Sequence, residues 1–300
     1  MIKILIIGYG SIGEKHYKIL KINNHKNIKI LTKRKIKSLD IIEKKNIKNF
    51  NPNYVIIASH TSKHLKYLRY INDNFSKIKI LVEKPLFDEY FNYKEINNNK
   101  IFINYNLRFH PVIKFIKNYI TNQKLIFSSI SCFSNLKNWR KNIKYSKSNS
   151  AQKKFGGGVL LELSHEIDIA NYLFGINKIH SSFNSKLSTL KINTDDILIL
   201  NLICEKVKFC NLQINFFDNA KERKIRIVTT KSTIIGDLIK NNIVIYNKNK
   251  KITKNFKISK NSTYTSVHKS IIKNDNKQVC NLKQGLKIMK IISKIKKNNK

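Results

Sequence analysis

A glycine-rich turn near the beginning of the chain has the residue types and spacing that bind a pyrophosphate. Gly8, Gly10 and Gly13 form a G-x-G-x-x-G pattern, with Ser11 and Ile12 between the last two glycines. The pattern follows an apolar run and opens a segment of helical spacing, so the backbone would approach a phosphate closely and free N–H groups of the helix start would face its charge. The sequence predicts a dinucleotide-binding turn, with a glycine turn that binds no ligand as the alternative.

The end of the second predicted strand indicates which dinucleotide this turn would bind. In folds of this type an acidic residue about 20 positions after the glycines binds the ribose 2′-hydroxyl. This chain instead has Thr32, Lys33 and Arg34, with no carboxylate in reach. A hydroxyl group and two cations suit a 2′-phosphate, so NADP is predicted in preference to NAD. The alternative is that Lys33 reflects only the composition of the chain and that NAD binds as well.

A lysine at the end of the fourth predicted strand can take part in proton chemistry. Glu83, Lys84 and Pro85 follow an apolar run, and the carboxyl ends of parallel strands face the ligand crevice of a doubly wound sheet. Lys84 would donate a hydrogen bond to a substrate hydroxyl group or exchange a proton with it. The alternative is an ordinary lysine at a strand end, paired with Glu83.

The middle of the chain contains a second group of candidate residues. Arg108 and Arg140 suit a substrate carboxylate or phosphate, because a guanidinium group binds such groups with paired hydrogen bonds; surface salt bridges are the alternative. The glycines at 156–158 precede a predicted helix and are expected to leave free N–H groups facing the cleft. His165 on that helix is a candidate acid/base, or a packed histidine capped by Asp168.

Two kinds of structure would position these residues. In the first third, apolar runs alternate with helical segments, which predicts a parallel sheet covered on both faces. From about Leu125 strands dominate, which predicts a mainly antiparallel sheet. The predicted strands are Lys3–Ile7, Ile28–Leu31, Tyr54–Ala58, Ile78–Val82, Ile101–Tyr105, Leu125–Phe133, Ser181–Leu190, Ile197–Ile203, Lys208–Asn215, Lys224–Thr229, Ser232–Asp237 and Ile243–Tyr246, and the predicted helices are Ile12–Ile22, Ser62–Ile71, Val159–Phe174 and Leu282–Ile295.

The net charge of +41 invites comparison with nucleic-acid-binding proteins. Only six of the 59 basic residues are Arg, which is the residue best suited to phosphate and base recognition. The lysines are spread along every segment and form no stripe with interleaved aromatic residues. Ile, Lys and Asn together supply about 140 of the 300 residues, as expected from an AT-rich coding sequence. We therefore attribute the net charge to this composition and predict no nucleic-acid partner.

The chain has no uncharged apolar run of 18 residues, so no transmembrane helix and no membrane partner are predicted. Its first residues lack the features of a signal peptide and read as a buried strand. The four cysteines are scattered, with no metal-ligand spacing, so no metal is predicted and a reducing, cytoplasmic location is expected.

The motifs occur in an order that resembles the Gfo/Idh/MocA family of oxidoreductases, the relatives of glucose–fructose oxidoreductase and inositol dehydrogenase. The resemblance covers nearly the whole chain and is carried by five segments: Gly8-x-Gly10-x-x-Gly13-x-x-His16, Ala58 to His64, Glu83-Lys84-Pro85, Asn106-x-Arg108-Phe109, and Gly156–Gly158 followed by His165-x-x-Asp168. Trp139-Arg140, the segment from Tyr145 to Ala151 and the residues 163–168 resemble a bacterial branch associated with surface-polysaccharide sugars. The resemblance implies an N-terminal Rossmann domain followed by an α/β domain with an open, mainly antiparallel sheet.

The resemblance also implies roles for individual residues. Lys84 corresponds to the lysine that contacts the substrate hydroxyl, and His165 to the histidine that acts as acid/base. The family has an aspartate four residues before this histidine, where this chain has Leu161, and the nearest acidic residue is Glu162. If one helix carries both residues, Glu162 lies on a face similar to that of His165 and would orient its imidazole ring. Cofactor contacts are expected from Gly8, Gly10, Ser11, Ile12, Gly13, Thr32, Lys33, Arg34, Ser59, His64, Glu83 and Lys84, and substrate contacts from Arg108, Trp139, Arg140 and His165. Structural capping is the alternative for His64.

The predicted organisation is an NAD(P)-binding Rossmann domain over residues 1–118 and a substrate-binding and oligomerisation domain over residues 119–300. The predicted function is hydride transfer between nicotinamide and a secondary alcohol or ketone of a sugar, amino sugar or nucleotide sugar. A homo-oligomer formed through the C-terminal sheet is expected from the resemblance. The alternative function is a dinucleotide-binding sensor or scaffold that has lost turnover, which the change at Leu161 suggests.

Overall fold

The computed structural model describes residues 2–140 and 143–298, which form two compact units. The first unit contains the chain up to Asn106 and the segment Asn261–Met289, and the second contains Leu107–Lys260 and the chain from Lys290 onward. The strands are β1 (Ile4–Ile7), β2 (Ile28–Leu31), β3 (Tyr54–Ile57), β4 (Lys79–Val82), β5 (Lys100–Ile103), β6 (Leu125–Asn135), β7 (Ile176–Ser185), β8 (Ile197–Cys204), β9 (Phe209–Asn215), β10 (Phe217–Thr229), β11 (Ser232–Asp237), β12 (Asn242–Asn247), β13 (Lys250–Asn255) and β14 (Cys280–Asn281). The α-helices are α1 (Ser11–Ile22), α2 (Ile47–Phe50), α3 (His64–Asn74), α4 (Pro111–Tyr119), α5 (Val159–Glu162), α6 (Ser164–Phe174), α7 (Ser262–Ile272) and α8 (Leu282–Asn298).

The first unit is built on a six-stranded sheet of order β14-β5-β4-β3-β1-β2. The first five strands are parallel neighbours, as predicted, and only the short β14 runs antiparallel. All four residues of β1 and of β3 are buried, because both faces of this sheet are covered. The unit is a Rossmann-type sheet whose carboxyl strand ends carry the candidate residues.

The second unit is built on an eight-stranded sheet of order β13-β12-β11-β10-β6-β9-β8-β7. Every pairing in it is antiparallel except the parallel pair β6–β9. Burial alternates along β8, with Leu198, Leu200 and Leu202 on the buried face. This alternation is expected of a sheet with one covered and one open face. The predicted α/β domain with an open, mainly antiparallel sheet is therefore confirmed.

The two compact units divide the chain differently from the predicted boundary between residues 118 and 119. Helix α4 packs against β11 of the second unit, where Gly236 makes room for Ile116 and Val112. At the other end, β14 pairs with β5 and places residues after 261 in the first unit. These contacts join segments that are distant in the sequence, so a change of local pattern could not indicate them.

Two predicted elements differ markedly from the structure. The helix predicted over Val159–Phe174 is two helices, interrupted at Leu163, which has φ −102° and ψ 28°. The strand predicted over Ser181–Leu190 is β7, which starts and ends earlier. It ends at Ser185 because Asp196 accepts hydrogen bonds from the backbone N–H groups of residues 187 and 188 and so forms a turn. Strand β13 and helices α4 and α7 were not predicted.

No helix in the described residues is both long enough and apolar enough to cross a membrane.

Candidate active site

The glycine turn between β1 and α1 is shaped by close backbone contacts. Gly8 has a φ of +96°, and a Cβ there would lie 2.7 Å from the carbonyl oxygen of Ala58. A Cβ on Gly13 would collide with the carbonyl oxygen of Gly8. Glycine at these two positions therefore lets the turn, the helix and the neighbouring strand end approach each other.

Gly10 differs from the other two because a Cβ there would meet nothing within 4 Å. It is exposed and precedes Ser11, the first residue of α1, and it provides no side-chain cap for the helix. The first N–H groups of a helix have no partner inside the helix, so open space at Gly10 leaves them accessible to an anion. This cradle, lined also by exposed Ser11 and half-buried Ile12, fits a dinucleotide pyrophosphate.

A cleft of about 600 Å³ lies beside this turn and contains Arg34. Nη1 of Arg34 donates a hydrogen bond to the carbonyl oxygen of Tyr9 at 2.9 Å, and its backbone N–H donates to Oγ1 of Thr32 at 3.2 Å. Lys33 is exposed. The residues that line the cleft are Tyr9, Glu14, Tyr17, Lys18, Arg34, Ile36, Ser38 and Leu39.

One residue of this cleft corrects the sequence interpretation. Glu14 places a carboxylate in the cleft, where none was expected. It was missed because it projects from α1 and does not follow β2, where the usual acidic ribose ligand lies. Glu14 forms an ion pair with Lys18, one helical turn further on, which partly neutralises it.

The Glu83-Lys84-Pro85 segment follows β4 directly, at the carboxyl edge of the sheet. Lys84 is half-buried, and its peptide bond to Pro85 is cis. Oε1 of Glu83 accepts hydrogen bonds from Nε2 of His16 at 2.8 Å and Nδ2 of Asn104 at 2.5 Å. Its Oε2 accepts the backbone N–H of Lys84 at 3.3 Å. Burial alone would raise the pKa of Glu83, but hydrogen bonds from His16 and Asn104 outweigh it and lower the pKa.

Glu83 was predicted to contact the cofactor, and in the structure its carboxylate bonds to protein groups. It is 6% exposed, and its carboxylate is engaged by three donors of the protein itself. Beyond His16 the chain of hydrogen bonds continues through His268 to Tyr54. Sequence reasoning missed His268 because the helix that carries it was not predicted.

His64 is also buried among protein atoms. Its Nδ1 lies 3.1 Å from the carbonyl oxygen of Pro85, and its Nε2 lies 3.1 Å from that of Ser59. Burial lowers its pKa, although these backbone hydrogen bonds oppose the shift. At 1% exposure the imidazole of His64 joins two loops. No side-chain hydrogen bond caps the start of α3, so the structure gives His64 a packing role, and its contact with a cofactor stays a prediction. Ser59, half-buried, stays a candidate for cofactor contact.

In the second unit, His165 and Glu162 lie on opposite sides of the break at Leu163. Glu162 is the last residue of α5, and His165 is the second residue of α6. The expectation that one continuous helix places them on similar faces is therefore wrong. Oε1 of Glu162 accepts a hydrogen bond from Oγ of Ser150 at 2.8 Å. His165 is half-buried.

The three glycines before α5 do not present free N–H groups, contrary to the expectation. The backbone N–H groups of Gly156, Gly157 and Gly158 donate to the carbonyl oxygens of Lys153, Gln152 and Ser150 at 3.0 to 3.1 Å. All three glycines are buried, and a Cβ on Gly157 would lie 2.6 Å from the carbonyl oxygen of Ser150. Their function is to let the preceding loop fold closely onto the start of α5.

Asp195 fills the start of α5, where an anion could otherwise bind. Its Oδ2 accepts the backbone N–H of Leu160 at 2.8 Å. A Cβ on Gly158 would collide with its Oδ1. Burial raises the pKa of Asp195, although the hydrogen bond from the backbone of Leu160 lowers it in part. This protein carboxylate therefore takes the position that the sequence had suggested for a ligand.

Two buried ion pairs hold α6. Arg108 forms two hydrogen bonds with Asp168, and Arg223 of β10 forms an ion pair with Glu166. Both carboxylates and Arg108 are at most 1% exposed. Arg108 is therefore unable to anchor a substrate in this structure, and it holds the helix that carries His165. Asp168 pairs with Arg108, so the alternative in which it caps His165 is also replaced.

Trp139 and Arg140 lie in the second unit beside the loop that precedes the glycines. Nε1 of Trp139 donates to Oγ of Ser134 at 3.0 Å, and its ring packs edge-on against Phe216. Arg140 is exposed. A small cleft of about 10 Å³ is lined by Leu136, Trp139, Arg140, Ile143, Tyr145, Ser148 and Ser150. Through Ser150 this cleft connects to Glu162, so the structure brings three of the predicted site residues into one neighbourhood.

The residues 2–140 and 143–298 contain no group of three or more His, Cys, Asp or Glu side chains placed to hold a metal ion.

Comparison with known structures finds the same fold over almost the whole chain. Levoglucosan dehydrogenase in complex with NADH is 14% identical, with a TM-score of 0.84 and coverage of 99% of this chain and 96% of that one. UDP-N-acetylglucosamine 3-dehydrogenase GnnA from Acidithiobacillus ferrooxidans is 13% identical, with a TM-score of 0.75 and coverages of 99% and 97%. The WlbA dehydrogenase from Bordetella pertussis in complex with NADH and UDP-GlcNAcA is 13% identical, with a TM-score of 0.73 and coverages of 99% and 96%.

A sequence search of curated proteins finds no significant match. Two family models do match. The model described as the oxidoreductase family NAD-binding Rossmann fold covers residues 2–100. The model described as the oxidoreductase family C-terminal alpha/beta domain covers residues 129–299. Together with the glycine cradle and the lysine at the end of β4, these matches identify the chain as a member of the Gfo/Idh/MocA family of oxidoreductases.

Proposed function

We propose that this oxidoreductase transfers hydride between nicotinamide and a secondary alcohol or ketone of a sugar, amino sugar or nucleotide sugar. The observation that carries the proposal is the placement of Lys84 at the carboxyl end of β4, in the same unit as a glycine cradle that fits a pyrophosphate. In doubly wound sheets the ligand crevice lies at this edge. The dehydrogenases with the same fold support a sugar-type substrate, since two of their names specify levoglucosan and UDP-N-acetylglucosamine.

The dinucleotide would be held by Gly8, Gly10, Ser11, Ile12 and Gly13, and when bound it supplies the hydride acceptor or donor. The chain's own residues provide orientation and proton handling. A secondary alcohol holds its proton tightly, so hydride loss requires a group that accepts this proton in step. His165 takes or gives the proton, and the ammonium group of Lys84 stabilises the developing alkoxide.

We further propose NADP as the preferred cofactor. Arg34 and Thr32 are joined by a hydrogen bond, and Arg34 lines the cleft beside the glycine turn together with buried Tyr9 and half-buried Tyr17. Its guanidinium group has further donors available for a 2′-phosphate besides the one used by Tyr9. Exposed Lys33 adds positive charge. Glu14 opposes this preference, and its ion pair with Lys18 reduces the opposition.

Substrate recognition is assigned to Trp139 and Arg140. Arg140 is exposed beside the loop whose Ser150 bonds Glu162, so its guanidinium group is accessible to an anionic part of the substrate. Glu162 is proposed to act on His165 as a positioning residue across the break between α5 and α6. Arg108 is not included, because its guanidinium group is buried and paired.

A homo-oligomer formed through the open face of the second sheet completes the proposal. On this face Phe127 and Phe209 stack, with ring centroids 6.4 Å apart, and Ile199 lies on the same face of β8. Phe183 on the neighbouring edge strand is 44% exposed. Polar Asn201, Asn211 and Gln213 share this face and bond one another, and exposed apolar side chains on an open sheet face are typical of an interface.

A second candidate is a dinucleotide-binding protein without turnover. The observation that favours it is Leu161, which stands where the family has an aspartate and is buried. An experiment separates the two functions. The purified protein is denatured and any released dinucleotide identified by mass spectrometry, and the protein is then assayed with NADP and NAD against a panel of sugars and nucleotide sugars. Cofactor-dependent turnover supports the oxidoreductase, whereas dinucleotide binding without turnover on the whole panel supports the second candidate.

A further inference from the structure

A row of buried polar side chains crosses the first unit and ends beside Lys84. Its members are Tyr54 at the start of β3, His268 on α7, His16 on α1 and Glu83 after β4; we refer to them as the histidine chain. Oη of Tyr54 lies 2.9 Å from Nδ1 of His268, Nε2 of His268 lies 2.9 Å from Nδ1 of His16, and Nε2 of His16 lies 2.8 Å from Oε1 of Glu83. All four side chains are buried.

Resting on the proposed function, we infer that His268 is a positioning residue that acts through His16 and Glu83 to hold Lys84 in place. Two observations make this more than packing. Every nitrogen of the His16 and His268 rings takes part in a hydrogen bond of the histidine chain. Glu83, its last member, directly precedes Lys84 in the sequence and accepts a hydrogen bond from the backbone N–H of Lys84.

The direction of the hydrogen bonds follows from the carboxylate. An ionised Glu83 only accepts, so Nε2 of His16 must donate to it. Nδ1 of His16, when the ring is neutral, then accepts from Nε2 of His268, and Nδ1 of His268 accepts from the hydroxyl of Tyr54. Each bond therefore fixes the tautomer of the next ring, and all bonds point toward Glu83.

His268 suits this role because it is held neutral. Burial lowers its pKa well below the usual value, and the neighbouring His16 and His25 lower it further. A neutral His268 presents one donor and one acceptor, as the chain requires. The rings of His16 and His268 also meet edge to face with centroids 5.0 Å apart, and the ring of Tyr264 packs edge to face against His16 at 5.3 Å.

At the far end of the histidine chain, His16 and Asn104 fix Oε1 of Glu83 by their hydrogen bonds. This orientation leaves Oε2 of Glu83 to accept the hydrogen bond from the backbone N–H of Lys84. Without His268, His16 loses the bond that sets its ring orientation, and Glu83 loses a fixed donor. Lys84 would then sample positions away from the reacting oxygen, and a displacement of even about 1 Å is costly to a positioned catalytic group.

Two substitutions of His268 test the inference because each retains one of its bonds. The side-chain amide of His268→Gln reaches the position of Nε2 and retains the bond to His16. The amide of His268→Asn reaches the position of Nδ1 and retains the bond to Tyr54. Both remove the ring, so their effects on packing are matched. Leu68→Ala on α3, a cavity variant outside the histidine chain, controls for general destabilisation of the unit.

The first readout needs no substrate. The acylation rate of Lys84 by an N-hydroxysuccinimide ester is measured by peptide mass spectrometry in the absence of cofactor. We expect about fivefold faster labelling in His268→Asn, about the wild-type rate in His268→Gln, and no change specific to Lys84 in Leu68→Ala. The inference is overturned if the two His268 variants label alike, or if Leu68→Ala labels Lys84 as fast as His268→Asn.

The second readout uses turnover once a substrate is found. His268→Asn should lower kcat about tenfold with KM for the cofactor unchanged, and His268→Gln should restore most of it. Equal kcat in both variants would also overturn the inference. If the wild-type protein turns over no substrate, the proposed function fails, while the labelling experiment still decides whether His268 positions Lys84.

Discussion

Arg108 and Asp168 form a bidentate ion pair that is closed to solvent. Nε of Arg108 lies 2.9 Å from Oδ2 of Asp168, and Nη2 lies 2.6 Å from Oδ1. The ring of Tyr172 covers the guanidinium group, 4.7 Å from its centroid. Burial raises the pKa of Asp168, and the charge of Arg108 opposes that shift. The two residues, 60 positions apart in the chain, together fix the helix that carries His165.

Removing Arg108 should therefore destabilise the fold. Arg108→Met leaves a buried carboxylate without a partner, and we expect the free energy of unfolding in urea to fall by about 3–5 kcal/mol. Lys45→Ala, which removes one partner of the exposed Lys45–Glu43 pair, is the control and should change it little. Equal losses in the two variants would show that the buried pair does not stabilise α6.

His165 and Lys84 should be required for turnover and dispensable for cofactor binding. We expect His165→Ala and Lys84→Ala each to lose about 10²–10⁴ in kcat, because positioned proton transfer contributes an amount of this order. Dinucleotide affinity, measured by calorimetry, should stay near the wild-type value. Glu162→Gln should have a milder effect. Wild-type turnover in His165→Ala would refute the acid/base role, whereas a silent Glu162→Gln would remove only the positioning role of Glu162.

Arg34 should discriminate between the two cofactors. Arg34→Ala is expected to weaken NADP binding about tenfold or more, because charge-assisted hydrogen bonds to a phosphate contribute about 1.5–3 kcal/mol each. NAD binding should change little, and Lys33→Ala should have a smaller effect because Lys33 makes a less directed contact. Similar losses for NADP and NAD would contradict the assignment of Arg34 to the 2′-phosphate.

The stability of the protein should fall as the medium becomes mildly acidic. Burial, followed by His16 and His25, lowers the pKa of His268 in the folded state. The unfolded chain then binds more protons below the ordinary histidine pKa of about 6.5, so the stability contributed by neutral His268 is present above that pH and lost as the pH falls. His64 and His110, whose pKa values burial also lowers, act in the same direction.

The measurement is Tm between pH 8 and 5.5 in wild type and His268→Gln. The Tm of the wild-type protein should fall steadily as the pH is lowered over this range. The Tm of the variant should fall less, because the variant has one buried histidine fewer. A variant whose Tm has the same pH dependence as wild type would show that His268 is not held neutral by the fold.

The open face of the second sheet should determine the oligomeric state. Phe209→Lys places a charge in the stacked pair with Phe127, and we expect it to reduce the mass measured by light scattering to that of a monomer. Ile22→Lys, at a position that is 79% exposed on α1, is the matched control and should leave the mass unchanged. A monomeric wild-type protein, or an unaltered Phe209→Lys oligomer, would exclude this interface.

The local parts of the fold could be predicted from the sequence. Continuous apolar runs such as β1 and β3 indicate strands buried on both faces, and the bounds predicted for β11 agree with the structure. The position of Lys84 after β4 followed from the same pattern. Strand β13 could not be found in this way, because all six of its residues are exposed and four are Lys or Asn.

The parts that depend on distant contacts could not be predicted. Glu83 and His64 were interpreted as cofactor ligands because their motif positions suggest a cleft, and nothing in the sequence indicates that both side chains are buried and bonded to protein groups. The break at Leu163 leaves no Gly or Pro signal in the sequence. The partner of Arg108 lies on α6, and no local pattern pairs them.

The return of residues 261–289 to the first unit has a consequence for biosynthesis. A ribosome releases β1 to β5 more than 150 residues before α7 and β14, so the nascent chain carries an incomplete nucleotide unit while the second unit is being made. During that interval His16 lacks its hydrogen bond from His268, and β5 is an unpaired sheet edge. The nucleotide unit can therefore be completed only after residues 107–260 have been synthesised, and a fragment ending at Asn106 would lack α7 and β14.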